Sequence, residues 1–532
     1  MNANTTKSIL SMALACSMGA AVAGESDRPH RPDDSAYLDA GERPLDQRTL
    51  ITEVIARNAQ VLFSELQIAI AEDEIDRERA AYQPFWFAES RYTDQKTENT
   101  AADRLSSAQR LNQREFREKR VDMETGVQVP VRPTGADVTL SWSAVRRDNN
   151  LIPLLPDLES GEDVEYTAGL NLVIRQPLLR GLGNRSVRWQ IEQAELGRMV
   201  TEEQFRQRLL QVSSEALSGY WQLFRMERFL EIRRAALENA ENIRQETSEL
   251  VRAGRQPQLA LLEAEATIID RQSELDAAEQ AWLDAQTELK TLLNLSEASV
   301  ESLLFVPVDE PELNGYRAPV DFDAYLQDLL GQWPGYLIAT RNREIERLRL
   351  QGAREERRPQ LDLALGYSTS VLSYNASDTY GDAFDTDFPT WFAGLELRMP
   401  LGRNVGGRAD ERSAQTRVIQ ADSDVHFVQV SLANELRSRL RQLEQAQRDV
   451  ELKQRNRSLY QQLFDAELQR FNLGQVRLRD LYEREDDRIR AQQRVVDALV
   501  RYQLAIVALR LAEGSLFDAY GITISSEFAE AG

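Results

Sequence analysis

Arg175-Gln176-Pro177-Leu178-Leu179-Arg180-Gly181-Leu182-Gly183-Asn184-Arg185 returns in the second half of the chain as Arg398-Met399-Pro400-Leu401-Gly402-Arg403-Asn404-Val405-Gly406-Gly407-Arg408. Arg, Pro, Leu, Arg, Gly and Arg fall in register, which marks an internal repeat and so constrains the whole fold. Further landmarks recur at matching offsets. Leu250-Val251-Arg252-Ala253-Gly254 answers Arg470-Phe471-Asn472-Leu473-Gly474, and Tyr82-Gln83-Pro84 answers Arg357-Arg358-Pro359. Each half therefore reads as helix, strands, very long helix, glycine break, helix.

The stretch after each repeat is a helix of unusual length. No proline occurs between Arg185 and Gln256, and Phe205, Leu209, Val212, Ala216, Tyr220 and Leu223 are spaced by threes and fours. No proline follows Pro400 at all. Val418, Val425 and Leu432, then Leu436, Leu443 and Val450, step by sevens, the spacing of helices wound against each other. Nearly seventy residues at ~1.5 Å each give about 100 Å, too long for a compact domain and suited to a tube or rod.

Before each repeat the period changes to two. Val138, Leu140, Trp142 and Ala144 alternate with polar neighbours, as do Tyr166, Ala168, Leu170, Leu172 and Ile174; Leu361, Leu363, Leu365 and Tyr367 repeat the pattern, as do Trp391, Ala393, Leu395 and Leu397. Aromatic residues gather near the strand ends: Phe85, Trp86, Phe87, Tyr367, Tyr374, Tyr380, Phe384, Phe388, Trp391 and Phe392. Interfacial girdles of a membrane β-barrel have this placement. No later apolar run reaches the ~18 residues of a spanning helix, so a membrane-crossing part of this chain must be a barrel.

Composition removes other classes. The 532 residues carry 86 acidic and 64 basic side chains, a net charge of −22, with the arginines interleaved among carboxylates, so nucleic acid is not an expected partner. Cys16 is the single cysteine, and His30 and His426 are the only histidines, which excludes a disulfide framework and a His/Cys metal cage. His426, between Val425 and Phe427, reads as a packing residue. No nucleophile elbow or phosphate-binding glycine loop is present, so no enzyme, catalytic residue or cofactor is expected. Residues 1–23 have the form of a signal peptide, with Lys7, an apolar run from Ile9 to Val22 and Ala21-Val22-Ala23 as cleavage site. A competing reading places a lipoprotein cleavage site at Ala13-Leu14-Ala15-Cys16.

The order of parts, the Ala81-Tyr82-Gln83-Pro84 and Arg357-Arg358-Pro359-Gln360-Leu361-Asp362-Leu363 entries into strands, the Gln176-to-Gly181 exit and the paired glycine breaks resemble the TolC family of outer membrane efflux proteins. The resemblance runs from about Pro44 to Ala519. It implies a mainly α fold with a small β part, in which long antiparallel coiled-coil helices form a periplasmic α-barrel tunnel and strands join a shared trimeric outer membrane β-barrel. The expected division is an extended segment over 24–45, a first repeat over 46–294, a linker over 295–319, a second repeat over 320–515 and a tail over 516–532. Strands are expected within 84–176, with an insertion over 95–163, and within 359–400. That insertion reads either as a polar surface loop or as an added hairpin, which would raise a trimer's barrel from twelve strands to eighteen.

The resemblance also implies roles. Asp480 and Glu483 match carboxylates that ring the tunnel's constriction, and Gly254, Arg255, Gly474 and Gln475 match the helix-turn tips that meet an adaptor. Pro177, Gly183, Pro400 and Gly406 mark barrel-to-helix junctions. A resting-state link of the family is missing, since Ala260 and Val476 occupy its positions; Arg477 or Arg479 is the expected replacement. The implied function is a passive exit duct of a tripartite efflux or type I secretion system, set in outer membrane lipid of a Gram-negative cell. Its implied partners are a periplasmic adaptor and an inner-membrane RND or ABC transporter. A periplasmic coiled-coil structural or adaptor protein is the alternative.

Overall fold

The computed structural model describes residues 41–100, 115–150, 164–295, 303–313, 319–381 and 387–522. The expected signal peptide, Cys16, His30, Phe384 and most of the expected tail lie outside them. The described chain begins with β1 (Gly41–Leu45), α1 (Gln47–Arg57) and α2 (Ala59–Arg79). Four strands follow: β2 (Phe85–Glu98), β3 (Glu115–Val131), β4 (Ala136–Asn149) and β5 (Val164–Pro177). Then come α3 (Arg185–Arg252), α4 (Gln258–Leu292) and β6 (Leu303–Pro307). The second half contains α5 (Phe322–Leu330), α6 (Pro334–Glu356), β7 (Gln360–Thr369), β8 (Val371–Ser373), α7 (Ala376–Gly381) and β9 (Pro389–Arg398). It closes with α8 (Val405–Asn472), α9 (Leu478–Glu513) and α10 (Leu516–Ala519).

The two long helices, α3 and α8, have 68 residues each and span about 100 Å at ~1.5 Å per residue. Each starts after an asparagine in the left-handed region, Asn184 at φ 53° and Asn404 at φ 42°, and the Asn404 carboxamide accepts the Gly407 N–H at 3.2 Å. These asparagines set the junctions three residues apart in the register read from sequence. Gly183, at φ 69°, sits in the turn before α3, whereas Gly406 already lies inside α8. Pro177 ends β5, and Pro400 lies two residues past the end of β9.

Two layers of four helices make the wall. Near the strands α2, α3, α6 and α8 pack side by side; farther away α4 pairs with α3, α9 with α8, and α3 with α9. The main core gathers Leu209, Leu217, Tyr220, Trp221 and Leu223 of α3 against Leu289 of α4 and the parallel β1/β6 pair. A buried Gln286 carboxamide both donates to and accepts from the Phe305 backbone, at 2.7 and 2.9 Å, tying β6 to α4. The Tyr220 hydroxyl donates to Asp309 at 2.8 Å, and burial pushes that phenol well above its ordinary pKa.

The heptad face of α8 has its partner within the chain. Leu432, Leu436, Leu443 and Val450 pack on Ala498, Tyr502, Ile506 and Leu509 of α9, so this face is not the one left open for other copies. The open stripes lie elsewhere: Leu262, Ile269 and Leu283 on α4, Phe63, Leu66 and Ile70 on α2, and Ile419, Phe427, Leu452 and Leu459 on α8 are all exposed. His426 is exposed too, not packed, because it lies one residue past the buried Val425 on the helix surface.

Candidate functional site: the sheet and the helical tips

The sheet runs in the order β2-β3-β4-β5-β7-β9, every pair antiparallel, with β8 adding to β5. Direct partners in a ladder share a face, and one row can be followed across all six strands: Trp86, Val127, Leu140, Leu172, Tyr367, Trp391. The neighbouring row Phe87, Gly126, Ser141, Asn171, Ser368, Thr390 belongs to the other face. One side of the sheet is thus apolar and the other polar. Trp86, Leu140 and Trp391 are 66%, 51% and 76% exposed, so no part of the described chain covers the apolar side. A sheet greasy on its open side needs a nonaqueous surrounding.

At the far end of the helices, Gly254 and Gly474 take φ +69° and +75° and reverse the chain out of α3 and α8. Backbone bonds close both turns in the same way: Arg255 N–H to Leu250 at 2.8 Å, and Gln475 N–H to Arg470 at 2.9 Å. The tips touch each other, with the Gln256 carboxamide donating to the Val476 carbonyl at 3.1 Å. Beneath them Ala260, Ala264, Phe464, Phe471, Leu478, Leu481 and Tyr482 form a small core.

Asp480 and Glu483 are exposed on the first two turns of α9. The Asp480 carboxylate accepts the Arg477 N–H at 3.4 Å, capping the helix, and Arg479 reaches Glu483 at 3.6 Å. No contact among the described residues buries either carboxylate. Arg479 is therefore engaged along its own helix, and among the described residues neither it nor Arg477 pairs with a carboxylate of α4.

The link between the two helix pairs lies one layer deeper, where sequence reasoning did not look. Arg271 of α4 bonds Asp486 of α9, lies 3.7 Å from Glu485, and also bonds Glu274 at 2.9 Å, which in turn meets Arg233 of α3 at 2.7 Å. The Arg271 side chain is 7% exposed and that of Glu485 fully buried, with Arg488 3.6 Å away. Burial pushes the Glu485 carboxyl above the ordinary glutamate range, against the pull of Arg271 and Arg488. Desolvation opposes the Arg271 charge, but its bonds to Asp486 and Glu274 outweigh it. Charge alone could not flag these residues on helices this rich in Arg and Glu.

Residues 134–295 match the model of the outer membrane efflux protein family. That match and the structural neighbours bear out the resemblance to the TolC family of outer membrane efflux proteins. Its fold is similar to that of several solved channels. These include CusC (17% identity, TM-score 0.63, 93% of this chain and 98% of that one) and the Campylobacter jejuni CmeC outer membrane channel (14%, 0.64, 88% and 86%). The outer membrane protein VceC from Vibrio cholerae is another (14%, 0.62, 88% and 96%). Comparison with curated sequences gives no match. The family model and these neighbours support an efflux channel of the outer membrane, and such channels are not enzymes. Among the described residues no helix is long and apolar enough to cross a membrane, and no group of His, Cys, Asp and Glu could hold a metal ion.

Proposed function

We propose that three copies of this outer membrane efflux protein assemble into a passive exit duct of a tripartite efflux or type I secretion system. The observation that carries the reading is the exposed apolar stripes of α2, α4 and α8, whose residues at Leu262, Ile269 and Leu283, and at Leu452 and Leu459, recur at multiples of seven. A single chain leaves them in water, whereas neighbouring copies bury them and close the helices into a tube. The tips around Gly254, Arg255, Gly474 and Gln475 meet a periplasmic adaptor, and an inner-membrane RND or ABC transporter supplies the energy. Asp480 and Glu483, uncovered by their own chain, face the axis, where three copies of each create an anionic constriction.

The test is the mass of the particle in mild detergent, followed by crosslinking in cells. A trimer that captures an adaptor through the tips is expected. A folded monomer would refute the assembly, and capture unaffected by substitutions at Gly474 and Gln475 would refute the docking site.

A further inference from the structure

The β3–β4 hairpin is continuous with the membrane sheet and not a loop beside it. Its strands pair along their length with β2 on one side and β5 on the other, and its apolar residues Val127, Leu140 and Trp142 fall on the same face as Trp86, Leu170 and Leu172. Its other face carries Glu118, Arg120, Asp122, Glu124, Asp137 and Arg147, with Arg147 bonding Glu118 at 3.2 Å and Glu165 of β5 at 3.0 Å.

The turn between these strands lies at the helical end. The Thr134 carbonyl accepts from Gly183 N–H at 3.0 Å and from the Gln176 carboxamide at 2.8 Å, and a Cβ on Gly135 would stand 2.7 Å from the Gly181 oxygen. Arg132 lies 4.8 Å over the Tyr82 ring at the entry to β2. The hairpin thus starts and ends at the outer side and crosses the layer twice. The two outermost strands, β2 leaving the helical end and β9 returning to it, run in opposite senses, and among the described residues each has one free edge. Placing β9 of one copy beside β2 of the next continues the antiparallel sheet.

We propose that each copy contributes six spanning strands, so that the trimer closes an eighteen-strand barrel with a charged, water-filled lumen. The count of three rests on the reading of the preceding section; the two extra crossings per copy rest on the ladders alone. Barrel diameter grows roughly linearly with strand number, so the bore is about 1.5 times that of twelve strands, in the range where porins leave an aqueous channel. Size selection then belongs to the helical tips, and the barrel passes bulky hydrated cargo.

The experiment uses the full-length protein in a C16S background, with single cysteines L140C and T139C, reconstituted in liposomes. Alternate residues of a spanning strand face lipid and water in turn, so a charged maleimide should label T139C at least ten-fold faster than L140C, and spin labels should show L140C open to oxygen and closed to a polar nickel complex. Electron cryomicroscopy of the same trimer should show eighteen strands. Equal labelling at both positions, or twelve strands in a particle that is still a trimer, would overturn the proposal and leave the trimeric duct standing. A particle that is not a trimer would overturn the duct and the count of eighteen together, whatever the labelling.

Discussion

Arg271→Met should loosen the tunnel tip while leaving the sheet intact. Arg271 joins α4 to α9 through Glu485 and Asp486 and to α3 through Glu274 and Arg233, and its own side chain is 7% exposed. Removing one partner of a buried ion pair costs ~3–5 kcal/mol, because the remaining charge stays desolvated. Here the lower end applies. Glu274 and Asp486 are about 40% exposed and regain water, and Glu485 keeps Arg488 at 3.6 Å. About 3 kcal/mol corresponds to roughly a 100-fold faster local opening. Hydrogen–deuterium exchange of the amides around Arg271 and Glu485 measures it directly, with β4 and β5 as internal reference. The double variant R271M/E485Q should not restore the protection, since Arg488, 14% exposed, then loses its carboxylate partner. Exchange within three-fold of wild type in R271M would show that the network does not hold the helix pairs together.

Other outcomes follow from the same geometry. Burial raises the Glu485 pKa above its unfolded value, so its contribution to tip stability is full below the ordinary glutamate value and is lost as pH rises through the folded one. Intrinsic-rate-corrected protection of α9 should therefore fall across that window, and E485Q should flatten the curve. Gly474→Val forces a β-branched residue to φ +75°, at ~1–2 kcal/mol, and should impair export while trimers still reach the membrane, as an export assay beside a membrane fractionation will show. D480N/E483Q removes up to six negative charges from the proposed ring; planar-bilayer recordings should show lost cation preference, and an unchanged preference would place both carboxylates on the solvated outer face. Phe427→Glu on an open stripe of α8 should shift the detergent particle toward monomer, read by light scattering.

The sequence was most informative where one physical cause dominates. The absence of proline and the two glycine breaks located α3 and α8 closely, because little else ends a long helix. The junction register was less legible. Asn184 and Asn404, not the aligned glycines, begin the helices, and asparagine in the left-handed region is not visible from spacing. The β3–β4 hairpin was ambiguous because its outer ends carry Lys119, Arg117, Arg146 and Asp148 on the face that is apolar lower down, which blurs the alternation. The heptads of α8 showed that a face is buried but not by what, and α9 of the same chain turned out to cover it. The Arg271–Glu485 contact was hidden for a related reason: which charges on an acidic helix face inward is decided by the helix beside it.

The four-helix layer formed by α2, α3, α6 and α8 fixes a width as well as a wall. Helices packed about 8–10 Å apart occupy roughly 32–40 Å of circumference per copy. Six strands about 4.8 Å apart, tilted by about 40°, occupy about 38 Å, whereas four would occupy about 25 Å. Six strands therefore meet four helices edge to edge. A chain built this way needs no funnel at the membrane boundary, and the short turns at Pro177–Asn184 and Met399–Asn404 can pass each strand almost straight into its helix.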